Sequence, residues 1–177
     1  MTRPITDYLV QEHQELSHLL NELQDELGAL RLAREPGSTA DRLNGLTQAI
    51  AHNLHAHVVE EEQILYPALE GHLQGIAGTL ERMRDEHHAG EQTANTFCQS
   101  LARLIKGERN RREVMQNGRQ YIQWLRGHLL NENGRLFPMV ERGLDPETQQ
   151  EVRRAMEELS HQTSARISAG PSGQAPA

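Results

Sequence analysis

One phrase of 14 residues occurs twice in this chain, and it limits the possible folds more than any other feature. HVVEEEQILYPALE begins at His57 and HLLNENGRLFPMVE begins at His128, 71 positions later. A lone Glu-His pair precedes each phrase, with its histidine 44 residues before His57 in one case (His13) and 41 residues before His128 in the other (His87). The chain is therefore interpreted as a duplicated helical hairpin, each copy carrying a histidine and then His-x-x-x-Glu.

The spacing of apolar residues predicts an all-α fold, an antiparallel up-down-up-down four-helix bundle. Between residues 9 and 30, leucines recur every three or four positions, as the inner face of a bundle helix requires, and His13 stands where that series asks for leucine. Breaks near 35–38, 71–78 and 106–112 separate four long helices. Pro67 is expected to bend or end the second helix, and the fourth is expected to reach Pro138.

Three segments follow from this pattern. Residues 1–144 form the bundle, and residues 145–166 form a short accessory C-terminal helix. That helix is expected to begin at Asp145-Pro146, an N-cap residue followed by proline at the first helical position. Residues 167–177 are small, polar and rich in proline and glycine, which predicts a disordered tail.

Composition narrows the class of protein. The formal net charge is −7 with no basic stripe, which argues against nucleic acid or an anionic membrane as a partner. No apolar run approaches membrane-spanning length, and the N-terminus has no apolar signal core. A single cysteine, Cys98, fits a reducing compartment. These features together predict a cytoplasmic protein.

The repeated histidines and glutamates predict a metal centre. A histidine and a glutamate four residues apart share one helix face. At about 1.5 Å per residue, all the repeated groups lie roughly 14–20 Å from the same end of the bundle. Burying two carboxylates there without cations is very costly. The expected ligands are His13, His57, Glu61, His87, His128 and Glu132. The simplest arrangement holds two metals, each with two histidines, while Glu61 and Glu132 span both ions and leave positions open for water, dioxygen, peroxide or nitric oxide.

Over about residues 5 to 142 the chain resembles the hemerythrin-like family, also called the HHE cation-binding domain. The resemblance rests on EH at 12–13, HVVEEEQILYP at 57–67, EH at 86–87 and HLLNENGRLFP at 128–138. It implies a four-helix bundle around two non-heme, carboxylate-bridged iron ions, usually with an oxo or hydroxo bridge, and it implies the same six ligands. Spacing alone leaves iron, manganese and zinc open, and the preference for iron comes from the resemblance.

Two departures separate the chain from the oxygen-carrying members of that family. Those members have a second histidine four residues after the third-helix histidine, where this chain has Glu91. Their fourth-helix carboxylate follows its histidine by five residues, whereas here the spacing is four. The chain thus resembles the more symmetric bacterial form, H-HxxxE-H-HxxxE, which is linked with oxygen, peroxide or nitric oxide chemistry and with iron sensing. Glu91 is either a seventh ligand or a solvent-facing residue.

Other polar and aromatic residues near the motifs have simpler interpretations. Glu60 and Glu62 flank Glu61 and are expected to form a solvated face, with Glu60 an alternative ligand if the helix rotates. Tyr121 and Trp124, one to two turns before His128, either wall the metal pocket or pack in the core. Six further histidines are expected at the surface: His18, His52, His55, His72, His88 and His161.

Two functional hypotheses remain open. The first is a non-heme di-iron protein that binds or reduces dioxygen, peroxide or nitric oxide, with enzymatic turnover left undecided. The alternative is an iron- or oxygen-responsive sensor or interaction module without turnover, and a zinc-bound structural bundle is a third class. The sequence identifies neither a protein partner nor an electron donor.

Overall fold

The computed structural model describes the backbone of residues 4–169 and the side chains of residues 4–162. The described residues contain no strand, which confirms the all-α prediction. The α-helices are α1 (Ile5–Leu32), α2 (Gly37–Glu60), α3 (Tyr66–His72), α4 (Ala77–Ile105), α5 (Arg111–Asn131), α6 (Phe137–Gly143) and α7 (Pro146–Ala169). The four long helices α1, α2, α4 and α5 form the predicted bundle. α1 packs against α2 and α5, and α4 packs against the same two helices, which closes the ring.

Two apolar cores fill the bundle and lie on either side of a polar layer. In α1, the buried residues follow the predicted stripe, with Leu9 on one side of His13 and Leu16 on the other. Leu16 belongs to the larger core, which continues to Leu30, whereas Leu9 belongs to a second core with Leu65. Each fully buried leucine contributes about 1.5–3 kcal/mol of hydrophobic stabilisation. The polar layer lies between these two apolar cores, and its histidine and glutamate side chains are buried.

Neither repeated phrase ends its helix at the proline. α2 continues through a π-helical turn at Glu61–Leu65 into α3, and α5 continues through a second π-helical turn at Glu132–Leu136 into α6. In each turn the N–H of the residue before the proline donates to the carbonyl oxygen of the glutamate five residues earlier. A proline inside a regular helix lacks an N–H and crowds the carbonyl four residues before it. The wider turn precedes each proline, and the chain then resumes its helical path to His72 or Gly143.

The C-terminal helix begins as predicted and runs further than expected. Both backbone N–H groups of Glu147 and Thr148 donate to Asp145 Oδ1 at 3.0 Å, which confirms the N-cap. α7 extends to Ala169, beyond the expected end at residue 166, and packs against α1, α2 and the first π-helical turn. The rest of the tail predicted to be disordered, residues 170–177, lies outside the described residues. Within the described part of the chain, no helix has the length and apolar character needed to cross a membrane.

Candidate metal centre

The polar layer brings together the six side chains that the repeated motifs single out. α1 supplies His13, α2 supplies His57, α4 supplies His87 and α5 supplies His128, and each glutamate is the first residue of a π-helical turn. All six are buried, and Glu61 and Glu132 have no exposed surface at all. Six ionisable groups thus share one water-poor layer between two apolar cores.

The first hairpin contributes a pair of histidines that faces one oxygen of Glu132. The Nε2 atoms of His13 and His57 are 3.1 Å apart. Glu132 Oε2 lies 3.2 Å from Nε2 of His13 and 3.5 Å from Nε2 of His57. We call this group site A.

The second hairpin contributes a matching pair that faces the other oxygen of the same carboxylate. Glu132 Oε1 lies 3.1 Å from Nε2 of His128 and 3.7 Å from Nε2 of His87. We call this group site B. In sites A and B alike, the three possible ligand atoms lie within 4.8 Å of one another.

Glu61 lies beside both sites. Its Oε1 is 3.8 Å from Nε2 of His57, and its Oε2 is 3.5 Å from Nε2 of His87. The Tyr66 hydroxyl donates a hydrogen bond to Glu61 Oε2 at 3.2 Å. Burial, reinforced by the charge of Glu61, raises the pKa of Tyr66, so this hydroxyl stays protonated and remains a donor. Phe137 occupies the equivalent repeat position and packs its ring against His13, so Glu132 has no matching hydroxyl partner there.

The donor set suits metal ions. Five buried atoms in this layer have no hydrogen bond of acceptable geometry: Nε2 of His87, Nε2 of His128, Oε1 of Glu61 and both carboxylate oxygens of Glu132. Burying such atoms costs free energy unless a cation or a hydrogen-bond partner satisfies them. Adjacent ligands of an ion with bonds of about 2.1 Å stand roughly 3.0–3.4 Å apart in octahedral or tetrahedral geometry. The closest contacts within sites A and B have that spacing.

The outer nitrogen of every histidine in the layer faces an oxygen atom. His57 Nδ1 lies 2.9 Å from Glu12 and His87 Nδ1 lies 2.6 Å from Glu62. The other two contacts are longer: His13 Nδ1 is 3.2 Å from Asn133 Oδ1, and His128 Nδ1 is 3.5 Å from Glu86 Oε2. An acceptor at Nδ1 favours a proton there and leaves the Nε2 lone pair directed inward, which is the usual outer support of a metal-binding histidine.

The sequence analysis did not predict that these residues support the histidine rings, although it singled out the two Glu-His pairs. Glu12 and Glu86 are the glutamates of the two Glu-His pairs, and each contacts the second histidine of its own hairpin. The expectation that Glu60 and Glu62 form a solvated face is wrong. Glu60 is fully buried, and Glu62 is half-buried against His87. Glu91 is exposed, as its solvent-facing interpretation requires.

The remaining histidines lie away from the polar layer. His18, His55, His72, His88 and His161 are exposed, and His52 is half-buried. Trp124 stacks on the ring of His128, and Tyr121 stacks on Trp124, so both aromatic residues border the layer.

The buried charges of the layer shift one another's pKa values. Burial by itself lowers the pKa of His57, but the charge of Glu61 and the contact with Glu12 outweigh it, and the pKa is raised well above its usual value. Burial and the charge of Glu132 raise the pKa of Glu61. Burial also opposes ionisation of Glu132, yet its contacts with His13 and His57 hold its pKa well below the usual range. Protons would therefore compete with any metal ion held by this layer, so its affinity for metal is expected to fall as the pH falls.

A second buried carboxylate lies just outside the layer. The Tyr8 hydroxyl donates to Glu60 Oε2 at 2.8 Å, while Glu60 Oε1 is buried without a hydrogen-bond partner. Burial, together with the nearby charge of Glu12, raises the pKa of Glu60 to about 7.

We expect Glu60→Gln to stabilise the metal-free protein at alkaline pH. Because the pKa of Glu60 rises from 4.5 to about 7 on folding, ionisation is costlier in the folded state. The stability contribution of the protonated carboxyl is fully present below pH 4.5 and is lost as the pH rises through 7. The variant should therefore match the wild type near pH 4.5 and exceed its free energy of unfolding by up to about 3 kcal/mol at pH 8. Urea unfolding at both pH values measures this difference, and a constant offset between them would contradict it.

We also expect Glu12→Ala to weaken metal binding although Glu12 does not face the metal. Removing the acceptor at His57 Nδ1 frees the imidazole to rotate and lowers its basicity, which typically costs about 10–100-fold in metal affinity. Competition with a chromophoric chelator measures the change. Glu15→Ala is the matched control, because Glu15 is exposed on the same helix. Equal affinities for the two variants would show that the contact between Glu12 and His57 does not support the site.

The part of the chain that holds this site matches a known protein family. The family model described as the Hemerythrin HHE cation binding domain matches residues 5–140, which include all six side chains of the layer. No curated protein and no solved structure matches the chain.

Proposed function

Because the chain belongs to the hemerythrin HHE cation-binding domain family, we propose that it is a non-heme di-iron protein that binds or reduces a small oxidant: dioxygen, peroxide or nitric oxide. One observation carries this proposal. Glu132 presents one carboxylate oxygen to the histidine pair of site A and the other to the pair of site B. A carboxylate shared in this way can bind two metal ions at once, which suits a carboxylate-rich two-metal site in a bundle core.

Each residue of the layer has a distinct part in the proposal. His13 and His57 would hold one ion, the second histidine pair would hold the other, and Glu61 would join Glu132 in spanning them. Two imidazoles and two carboxylate oxygens leave positions on each ion for water, an oxo or hydroxo bridge, or an external ligand. The iron pair supplies the redox chemistry when it is bound.

The chain itself orients the ligands and limits access. Contacts at the outer nitrogens fix the histidine rings, with Glu12 on His57 and Glu62 on His87 as the shortest of them. Tyr66 holds one oxygen of Glu61. The two apolar cores exclude water above and below the layer, which strengthens every electrostatic contact within it.

The proposal is tested by mixing reduced, iron-loaded protein with each oxidant. Dioxygen, hydrogen peroxide and nitric oxide are added separately under anaerobic control, and the visible spectrum is followed. We expect a spectral change with at least one of them. A spectrum that responds to none of the three would contradict the proposal.

The position of α7 supports a second candidate, an iron- or oxygen-responsive sensor or interaction module without turnover. α7 packs against the first π-helical turn, which begins at Glu61, and its Met156 shares a core with Leu65 of that turn. A structural change on metal binding would then be transmitted to α7, an accessory helix that a partner can contact. Hydrogen exchange of α7 with and without metal tests this idea, and equal protection in both states would exclude it.

A further inference from the structure

The sequence repeat gives the bundle two equivalent faces, one beside each hairpin. Positions in α1 correspond to positions 74 residues later in α4, and positions in α2 and its π-helical turn correspond to positions 71 residues later in α5 and the second π-helical turn. In the first hairpin, α7 covers this face. Tyr8 and Ile64 pack against a core that contains Val152 and Met156 of α7. The guanidinium group of Arg153, also in α7, lies 5.8 Å from the centre of the Tyr8 ring. One of the two faces is therefore an interior contact of the chain.

The equivalent face of the second hairpin is an open pocket of about 400 Å³. Three exposed arginines line it: Arg82 from α4, Arg135 from the second π-helical turn and Arg142 from α6. We call it the arginine pocket. Arg82 corresponds to Tyr8 of the first hairpin, and Arg135 corresponds to Ile64. Cationic side chains thus replace two of the residues on which α7 packs, so this face is suited to a charged ligand rather than to an apolar helix.

The arginine pocket concentrates positive charge in a chain whose formal net charge is −7. Glu86 is the one acidic residue among the described residues that line it. Arg82 donates a hydrogen bond to Thr79 Oγ1 at 3.1 Å. Within the described part of the chain, Arg135 and Arg142 have neither an ion pair nor a hydrogen bond. Three guanidinium groups therefore share the pocket with one carboxylate, and most of their N–H groups remain available to an external acceptor.

Phosphate-type oxyanions match this set of donors. A guanidinium group presents a planar fork of N–H donors that binds two oxygens of a phosphate at once. Hydrogen bonds between two charged partners are about twice as strong as those between neutral groups. A volume of about 400 Å³ lies within the range of pockets that hold small molecules. Charge, donor geometry and size thus all favour a small anion.

We propose that the arginine pocket binds a phosphate-type oxyanion, with Arg82, Arg135 and Arg142 as its ligands. This inference goes beyond the proposed function and does not depend on metal in the buried layer. The ligand is defined by its phosphate group, which is supplied by a free phosphate ion or by a nucleoside diphosphate. The charge of Glu86 opposes binding. Because Glu86 also faces Nδ1 of His128, the anion binds next to a residue that supports site B.

Isothermal titration calorimetry of the full chain at low ionic strength tests the pocket, with inorganic phosphate as the first probe. We expect Arg135→Gln and Arg142→Gln each to lower the association constant by about tenfold or more, because each removes a charge-assisted contact. Glu86→Gln should instead raise the association constant by about threefold, because it removes the one negative charge of the described lining. A general loss of folding would lower the constant in all three variants.

Arg119→Gln is the matched control. Arg119 is exposed and lines a different groove, between α1 and α5, together with Arg31 and Arg126. We expect this variant to bind phosphate as the wild type does. An equal loss in the control and in the two arginine-pocket variants would show a general attraction to positive surface and would overturn the inference. Unchanged binding in both arginine-pocket variants would place the phosphate elsewhere, for example at the metal centre, and would overturn it as well.

Further probes identify the source of the phosphate group. Adenosine diphosphate that binds more tightly than inorganic phosphate, with the same loss in Arg135→Gln, would identify an organic phosphate. The reverse order would identify the free ion. Binding of hexaglutamate with no response to either phosphate would indicate an acidic protein segment as the occupant and would overturn the inference. A protein that binds phosphate in this pocket but contains no iron would contradict the proposed function and leave the anion site intact.

Discussion

Glu132→Ala should empty both metal sites with a single substitution. The two oxygens of this carboxylate face different histidine pairs, Oε2 towards site A and Oε1 towards site B. Its loss would remove a charged ligand from each site, and Glu61, the other carboxylate of the layer, comes no closer than 3.5 Å to Nε2 of His57 or His87. We expect the metal content to fall from about two ions per chain to well below one, with affinity reduced by more than about 100-fold. Elemental analysis after gel filtration measures the content.

A variant confined to site A provides the control. His13→Ala removes one imidazole from site A and touches no ligand of site B, so we expect it to retain about one ion per chain. Helical circular dichroism of both variants checks that the bundle has formed. Retention of two ions by folded Glu132→Ala would contradict the shared role of this carboxylate.

Removing the metal should lower the thermal stability of the protein by a large amount. The metal-free layer holds buried carboxylate and imidazole atoms without hydrogen-bond partners, and ions that bind only the folded chain stabilise it by mass action. Free metal at about 1,000 times its dissociation constant adds about 4 kcal/mol. For a chain of this size each kcal/mol corresponds to about 2–4 °C, so the midpoint should fall by roughly 8–16 °C on chelation. Differential scanning calorimetry with and without a chelator measures the shift.

Glu132→Ala is also the internal control for this effect. Because the variant is expected to bind little metal, its unfolding temperature should be the same with and without the chelator. Equal midpoints for the two forms of the wild-type protein would show that the layer is stable without metal. That result would argue against both the metal centre and the sensor alternative.

The position of the buried His/Glu layer could be predicted from the sequence because the helices are regular up to that point. His13 stands in a leucine series, and an antiparallel bundle with short connections brings equivalent levels of four helices together. The structure places all six predicted residues in one buried layer. A periodic pattern therefore located this layer without any tertiary information.

Residues next to the ligands could not be assigned in the same way. Neighbours along a helix point about 100° apart, so the helix pattern alone places Glu60 and Glu62 off the inner face. The structure buries Glu60 because α7 packs against α2 and the first π-helical turn, and no local pattern reports that contact. The π-helical turns themselves were missed, although the prolines two residues beyond them mark where a regular helix is disturbed.

The position of Trp124 depends on tertiary contacts that the sequence pattern does not report. Trp124 was expected either to wall the pocket or to pack in the core, and the sequence gives no reason to pair it with Gly90. Only the packing of α4 against α5 shows that the indole occupies the space of a missing Cβ atom. The role of a small residue at a helix contact depends on the side chain opposite it, and here Trp124 lies 34 positions along the chain from Gly90.

The most direct test of the central claim is the metal content and electronic spectrum of protein purified from iron-supplied cells. We expect about two iron ions per chain, with near-ultraviolet and visible bands typical of an oxo-bridged pair. Those bands should bleach with dithionite and return in air. One ion per chain, or stoichiometric zinc without such bands, would contradict a redox-active di-iron centre and the shared roles of Glu61 and Glu132.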